Sequence, residues 1–420
     1  MTIAAPAMPF APAAPAAAFR ERVLLLVLFV TVLASSVAFI EPSPHDGLMC
    51  VLLVASVAAG VRFERLIVVP FALLLVWNVA GMISLMNVPA EEKAIQYTAT
   101  SVYLAIVALL FACLFARNTM PRLAAVRSAY TLTALAAVCA GAAGYFHLFP
   151  GADDWFTDYG RAMGAFKDPN VYGPFLIWPA LFLMQRMIAV RFRIRDAAVL
   201  SILLFGLLLS FSRGAWFHFA VSGFATLLFT VMAAPTQAQR MRIVSVSVTG
   251  VALVAACVVV LLSFGSLHHM FEQRAELLQS YDVGSGGRFE LQRQALSVVL
   301  EKPNGMGPFE FARVYGLQQH NVYLQAFIVY GWVGGVAYIL LLLSTLWIGL
   351  RTSLTRTPWQ PYLITAFAAF VGEVLEGFVI DTDHWRHFFL LLGMVWGLAA
   401  ATLRPATPAP PGAPSYPGAV

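Results

Sequence analysis

Apolar runs long enough to cross a membrane recur along almost the whole of this chain, and that repetition settles its class before any single residue is weighed. A hydrocarbon core of about 30 Å needs about 20 helical residues. Twelve candidate runs lie near 23–40, 47–61, 66–86, 95–116, 124–148, 170–190, 197–212, 214–233, 243–266, 321–350, 360–380 and 386–403. Only 11% of the residues are charged, against about 25% in a soluble domain. The expected fold is all-α, a polytopic membrane protein with about twelve transmembrane helices. The second and seventh runs are short enough to be tilted, broken or partly re-entrant.

The ends and one long insertion give the domain organisation. Residues 1–19 are rich in Ala and Pro and carry no charge, and Arg20 and Arg22 stand directly before the first span. That span is long and lacks a cleavage site, so it does not read as a secretory signal. Residues 404–420 share the Pro and Ala bias, and both tails are expected to be disordered. Between them, 20–266 holds nine spans, 267–320 a polar loop, and 321–403 three more spans. Cys50, Cys113, Cys139 and Cys257 lie in apolar runs without metal-ligand spacing, which suits small core residues.

Charge sets the expected orientation. With the amino terminus in the cytoplasm, one set of short loops collects 16 of the 26 Lys and Arg residues, as cytoplasmic loops do. Both termini are then cytoplasmic. The other ten, Lys93, Arg161, Lys167, Arg213, Arg274, Arg288, Arg293, Lys302, Arg313 and Arg386, fall on the opposite side against the usual bias. Since all but one of them lie in the later loops, they point to a site for an anion.

Several segments could build it. Arg161, Lys167, Asp168 and Asn170 precede a helix whose start is marked by Pro169 and Gly173, and its first N–H groups form a potential anion site. The alternative is a solvated loop whose acids balance its cations. Arg213 sits in a tight turn between the seventh and eighth spans, either lining a wet cavity or snorkelling as an anchor. In the long loop, glycines 284, 286 and 287 lead into Arg288, Arg293 and a helix-like apolar spacing, followed by a second turn at Asn304–Phe309 and a short segment carrying Arg313. His320 opens the tenth span with Asn321 and Tyr323 behind it. A histidine there can simply cap a helix, but an imidazole can also take a proton from a sugar hydroxyl near neutral pH. Guanidinium groups beside it can neutralise a diphosphate leaving group. Asp381-Thr382-Asp383-His384 has the spacing of a metal motif, yet its acids suit better the holding of a basic group or an acceptor hydroxyl. Glu373 and Glu376 share one helical face and must turn into the bundle. Gly331 and Gly335 have the spacing of close helix packing.

Ser212-Arg213-Gly214, Gly287-Arg288 with the following helix, the Pro303–Gly307 turn, and His320 through Leu324 leading to Gly331–Gly334 together resemble the O-antigen ligase superfamily of bacterial inner-membrane proteins. Arg161 and Phe166 through Asn170 resemble that family's preceding loop. The resemblance implies a GT-C-like helical fold and a metal-independent glycosyltransferase without cofactor, working at the periplasmic face. The donor it implies is undecaprenyl-diphosphate-linked O-antigen, the acceptor the lipid A core oligosaccharide, with membrane lipid around both and no nucleic acid. By the same analogy His320 is the base, Arg161, Arg213 and Arg288 bind the diphosphate with Lys167 and Arg293 as secondary candidates, and Asp168, Asn321, Tyr323, Asp381 and Asp383 serve the acceptor or support the base. Relatives polymerise O-antigen or glycosylate protein serines. A transporter of lipid-linked glycans would also need a cationic cavity, but it would spread polar residues through the spans.

Overall fold

The computed structural model describes residues 15–88, 91–263, 271 and 287–404. In chain order the helices are α1 (Pro15–Leu33), α2 (Pro44–Ala58), α3 (Val68–Leu85), α4 (Glu92–Ala116), α5 (Thr119–Tyr145) and a short α6 (Ala152–Phe156). A two-stranded hairpin, β1 (Thr157–Asp158) and β2 (Arg161–Ala162), leads to α7 (Pro169–Phe175), α8 (Ile177–Ala189), α9 (Ile194–Leu209), α10 (Arg213–Ala233) and α11 (Gln237–Leu261). After the gap come α12 (Arg288–Glu301), α13 (Glu310–Tyr315), α14 (Val322–Ser353), α15 (Gln360–Glu376) and α16 (Arg386–Leu403).

Each expected run coincides with a helix, and eight stretches among the described residues are long and apolar enough to cross a membrane: α3, α4, α5, α7 continuing into α8, α10, α11, α14 and α16. The other four fall short of that measure. α2, α9 and α15 have 15, 16 and 17 residues, and α1 carries Arg20, Glu21 and Arg22 in its first half. The chain is thus an all-α polytopic membrane protein. α1 begins at Pro15, inside the stretch expected to be disordered, because proline is favoured in a first helical turn and Ala16–Ala18 propagate a helix well. The other tail from residue 405 onward, and residues 267–270 and 272–286 of the polar loop, including Arg274 and the glycines at 284 and 286, lie outside the described residues. α11 shows why lipid is required: only 6% of its apolar window is buried by protein.

Water release does not hold helices together within lipid, so close packing must. α16 packs along α4, α14 along α3, α15 along α10 and α1 along α5. The closest approach between α16 and α4 is made by Gly393 and Gly397, where an added Cβ would stand 2.5 Å from the Ala108 and Ala112 carbonyl oxygens. That is the small-residue seam expected at Gly331 and Gly335. Gly331 instead breaks α14, with φ +67° and ψ −175°, and the Pro303–Met306 turn docks into the break. Met306 N donates to Ile328 O at 2.6 Å and Trp332 N to Pro303 O at 2.8 Å. A Cβ on Gly331 would meet the Pro303 carbonyl oxygen at 2.7 Å, so the break fastens the end of α12 to α14.

Charges collect at the two ends of the bundle. At one end Arg122 pairs with Glu21, and Arg117 and Arg404 both reach Glu64. Tyr97, near the start of α4, marks the other end. The 20 residues from Tyr97 to Arg117 rise about 30 Å as helix, which is the thickness of a hydrocarbon core.

Candidate functional site

The Tyr97 end holds His320, and local structure fixes where its ring goes. Asn321 caps α14: its side-chain oxygen accepts from Tyr323 N and Leu324 N, both at 3.1 Å, while its amide donates to Phe378 O at 3.1 Å. Val322 N donates to Gly377 O at 2.9 Å. Clamped to the end of α15 in this way, the chain turns at His320 with φ +46°, a conformation that a non-glycine residue holds only where its surroundings impose it. His320 Nδ1 lies 3.5 Å from Asp381 Oδ2, and the side chains are 47% and 22% exposed. No other ring partner exists for His320 among the described residues. A carboxylate on Nδ1 favours the tautomer that leaves a lone pair on Nε2.

The two acids of the Asp381–His384 loop differ in setting. Burial lifts the Asp381 carboxyl above the usual aspartate range, opposed by its bond with His320. Burial acts on Asp383 in the same sense, but there His384 and Tyr97 prevail and hold it below that range. Tyr97 OH donates to Asp383 Oδ2 at 2.6 Å, and His384 Nδ1 lies 3.3 Å from the same oxygen. Asp381 therefore stands against a basic group, His320, whereas Asp383 is built into the scaffold.

The arginines approach from three elements. The Tyr159-Gly160 turn, with φ +46° and +71°, has the paired left-handed residues of a tight hairpin. It delivers Arg161 so that Nε donates to Ser210 O at 2.9 Å and a terminal amine to Asn170 Oδ1 at 2.8 Å. Ser212 Oγ donates to the same Asn170 oxygen at 2.8 Å and caps α10 through Ala215 N, placing Arg213 in that helix's first turn. Gly214 then lies against α15, its absent Cβ 2.7 Å from Glu376 Oε1. On α12, Gln292 Nε2 reaches His320 O at 3.4 Å and Phe378 O at 3.3 Å, and Arg288 stands one turn earlier on the same helical face. Asn170 thereby joins Arg161 to Ser212, the residue before Arg213, and Gln292 joins the backbone of His320 to α12, the helix that begins with Arg288.

Other candidates are placed elsewhere. Asp168 caps α7, accepting from Asn170 N at 2.7 Å, so its own carboxylate fills the anion position expected at that helix start. Lys167 pairs with Glu41 at 3.0 Å, beside a cavity of about 140 Å³ lined also by His45, Trp385, Arg386 and His387. Arg313 pairs with Glu310, and Arg386 with Asp46 at 2.8 Å. Three cations of the anomalous set thus have carboxylate partners that the charge pattern could not reveal. Tyr323 donates to Val374 O and packs its ring, tilted, 4.4 Å from that of Phe378, which makes it a brace between α14 and α15. Arg293 is exposed on α12.

Residues that sequence reasoning overlooked are Tyr97, Gln292, Gln319 and Gln325. Each is a neutral residue in an unremarkable setting, and only tertiary contact distinguishes it. No curated protein matches the chain. A family model described as O-antigen ligase matches residues 198–339, from within α9 to the middle of α14. That segment, which carries Arg213, Arg288 and His320, is similar to the O-antigen ligase family.

Proposed function

We propose that this protein is an O-antigen ligase: a metal-independent, inverting glycosyltransferase that moves O-antigen from undecaprenyl diphosphate to the lipid A core. In this reading the bundle has a GT-C-like arrangement in which α1, α2, α9 and α15 also cross the bacterial inner membrane. Both termini face the cytoplasm, and the Tyr97 end is periplasmic. The observation that carries the proposal is the His320 ring, held by Asp381 on one nitrogen and open on the other, within the segment similar to O-antigen ligase.

The reaction needs few groups. His320 Nε2 takes the proton of an acceptor hydroxyl as its oxygen attacks the donor's anomeric carbon. The bond from that carbon to the diphosphate oxygen breaks, configuration inverts, and the electron pair leaves on the lipid diphosphate. Arg161, Arg213 and Arg288 stabilise the departing charge, with Arg293 nearby on α12, and Asp381 steadies the imidazolium. His320 returns its proton to water, to which it is open.

Purified protein in liposomes, given lipid-linked donor and lipid A core, tests this directly. Glycan joined to lipid A core supports the ligase. Longer lipid-linked glycans would assign a polymerase, and neither product would remove the glycosyltransferase reading.

A further inference from the structure

Resting on the glycosyl-transfer reading, we infer that Tyr97, on α4 and outside the segment similar to O-antigen ligase, is a positioning residue that holds both halves of the His320–Asp381 pair in register. The two halves come from distant parts of the chain, and each lies outside a helix. His320 has a left-handed backbone, and Asp381 belongs to a loop between α15 and α16. One phenol reaches both segments. Its hydroxyl donates to Asp383 Oδ2 at 2.6 Å, two residues beyond Asp381. The same oxygen accepts from Gln325 Nε2 at 3.1 Å, and Gln325 Oε1 accepts from Gln319 Nε2, the residue immediately before His320.

The hub is itself immobilised. The His384 ring lies 3.9 Å from the Tyr97 ring and its Nε2 stands 3.1 Å from Tyr97 O. Ser101, one turn along α4, contacts both His384 Nε2 at 3.2 Å and Tyr330 OH at 2.5 Å. Gln319 is wholly enclosed and Gln325 is 5% exposed, so these bonds are shielded from competing water, and breaking one leaves a buried polar group unsatisfied. A bonded network set behind a half-open pair fits a device that fixes geometry without touching substrate.

Tyr97→Phe removes one oxygen and no charge, and Gln325→Met cuts only the arm toward His320. Neither alters Asp381, Asp383 or His384 on the loop, Arg288, Glu290 or Arg293 on α12, Arg213 on α10, Glu373 or Glu376 on α15, or the Glu310–Arg313 pair on α13. In liposomes, Tyr97→Phe should lower kcat about tenfold to a hundredfold, as small misplacements of a reacting group do, with KM for donor and acceptor unchanged. The acid limb of the rate profile should move to lower pH, because an imidazolium separated from its carboxylate binds its proton less tightly. The His320 titration followed by NMR should shift the same way, and Gln325→Met should give a smaller shift in that direction. Tyr97→Phe combined with Asp381→Asn should lose no more than Asp381→Asn alone, since the two act through one geometry. A Tyr97→Phe protein with wild-type kcat and titration, or losses that multiply in the double variant, overturns the inference. If Tyr97→Phe fails to fold, Gln325→Met decides on the same readouts. If the wild type transfers no glycan, the glycosyltransferase reading falls while the NMR titration still judges the positioning role.

Discussion

Two histidine–carboxylate pairs flank the end of α15, and they differ in distance and enclosure. His218 Nδ1 meets Glu376 Oε2 at 2.8 Å and its Nε2 meets Ala369 O at 2.9 Å, with both side chains 1% exposed. Every ring nitrogen has an oxygen partner, so the pair is closed, and it ties α10 to α15. His320 and Asp381 stand 3.5 Å apart with the imidazole 47% exposed, and Nε2 is left open. The same two functional groups thus give a brace when enclosed and saturated and, in the proposed mechanism, a base when half open. Enclosure and valence, not residue type, separate the roles.

The sharpest way to break this contrast is to delete each imidazole. His320→Ala should lower glycan transfer by about 10³-fold or more, the scale of a lost general base, equivalent to about 4 kcal/mol of barrier. Its thermal unfolding in detergent should match the wild type, since an exposed ring has little packing to lose. His218→Ala should do the reverse. It leaves Glu376 buried without its imidazole, which costs about 3 kcal/mol of stability, seen as a lowered Tm, while kcat per folded molecule stays near wild type. Equal activity losses in both variants would erase the distinction.

Asp381→Asn sharpens the comparison on the open side. The amide keeps the shape of the carboxylate but cannot stabilise an imidazolium, so kcat should fall about tenfold to a hundredfold, about 1.4 to 2.7 kcal/mol, with Tm unchanged. Steady-state kinetics at several pH values checks it. If Asp381→Asn retains full turnover, the open pair is no more catalytic than the closed one.

Hydropathy made the membrane class legible because lipid requires long apolar helices whatever the tertiary fold, and α3, α4, α10 and α14 lie where their runs predicted. The turns at Ser212, Gly287 and Asn304 were legible for a local reason: caps and glycines shape the chain within a few residues of themselves. Partners distant in sequence were not legible. Nothing near Asp381 names His320, 61 residues earlier, and nothing near Tyr97 names Asp383. The charge count also misled in part, since Lys167, Arg313 and Arg386 find Glu41, Glu310 and Asp46 and their charge is already met. Gly331 deceived for a similar reason, because its spacing matched a packing seam while its torsion serves a turn arriving from α12.

The mildest prediction concerns a third pair at the same end of the bundle, a brace like His218–Glu376 but placed where the apolar runs 47–61 and 386–403 begin. Arg386 Nε and a terminal amine donate to the two Asp46 oxygens at 2.9 and 2.8 Å, and Tyr103 and Ser43 N donate to them as well. Burial works against the Asp46 anion, yet Arg386 prevails and holds the carboxyl down to about 2. A depressed aspartate stabilises the fold above its unfolded value near 4 and loses that contribution as pH falls toward 2. The difference is about 2.5 kcal/mol. Asp46→Asn should therefore lower Tm at pH 7, and the gap from wild type should narrow by about half as unfolding is followed from pH 5 down to pH 3. Because Arg386 opens α16 directly after the Asp381–His384 loop, a gap independent of pH would show that the pair fixes that loop by shape alone and not by charge.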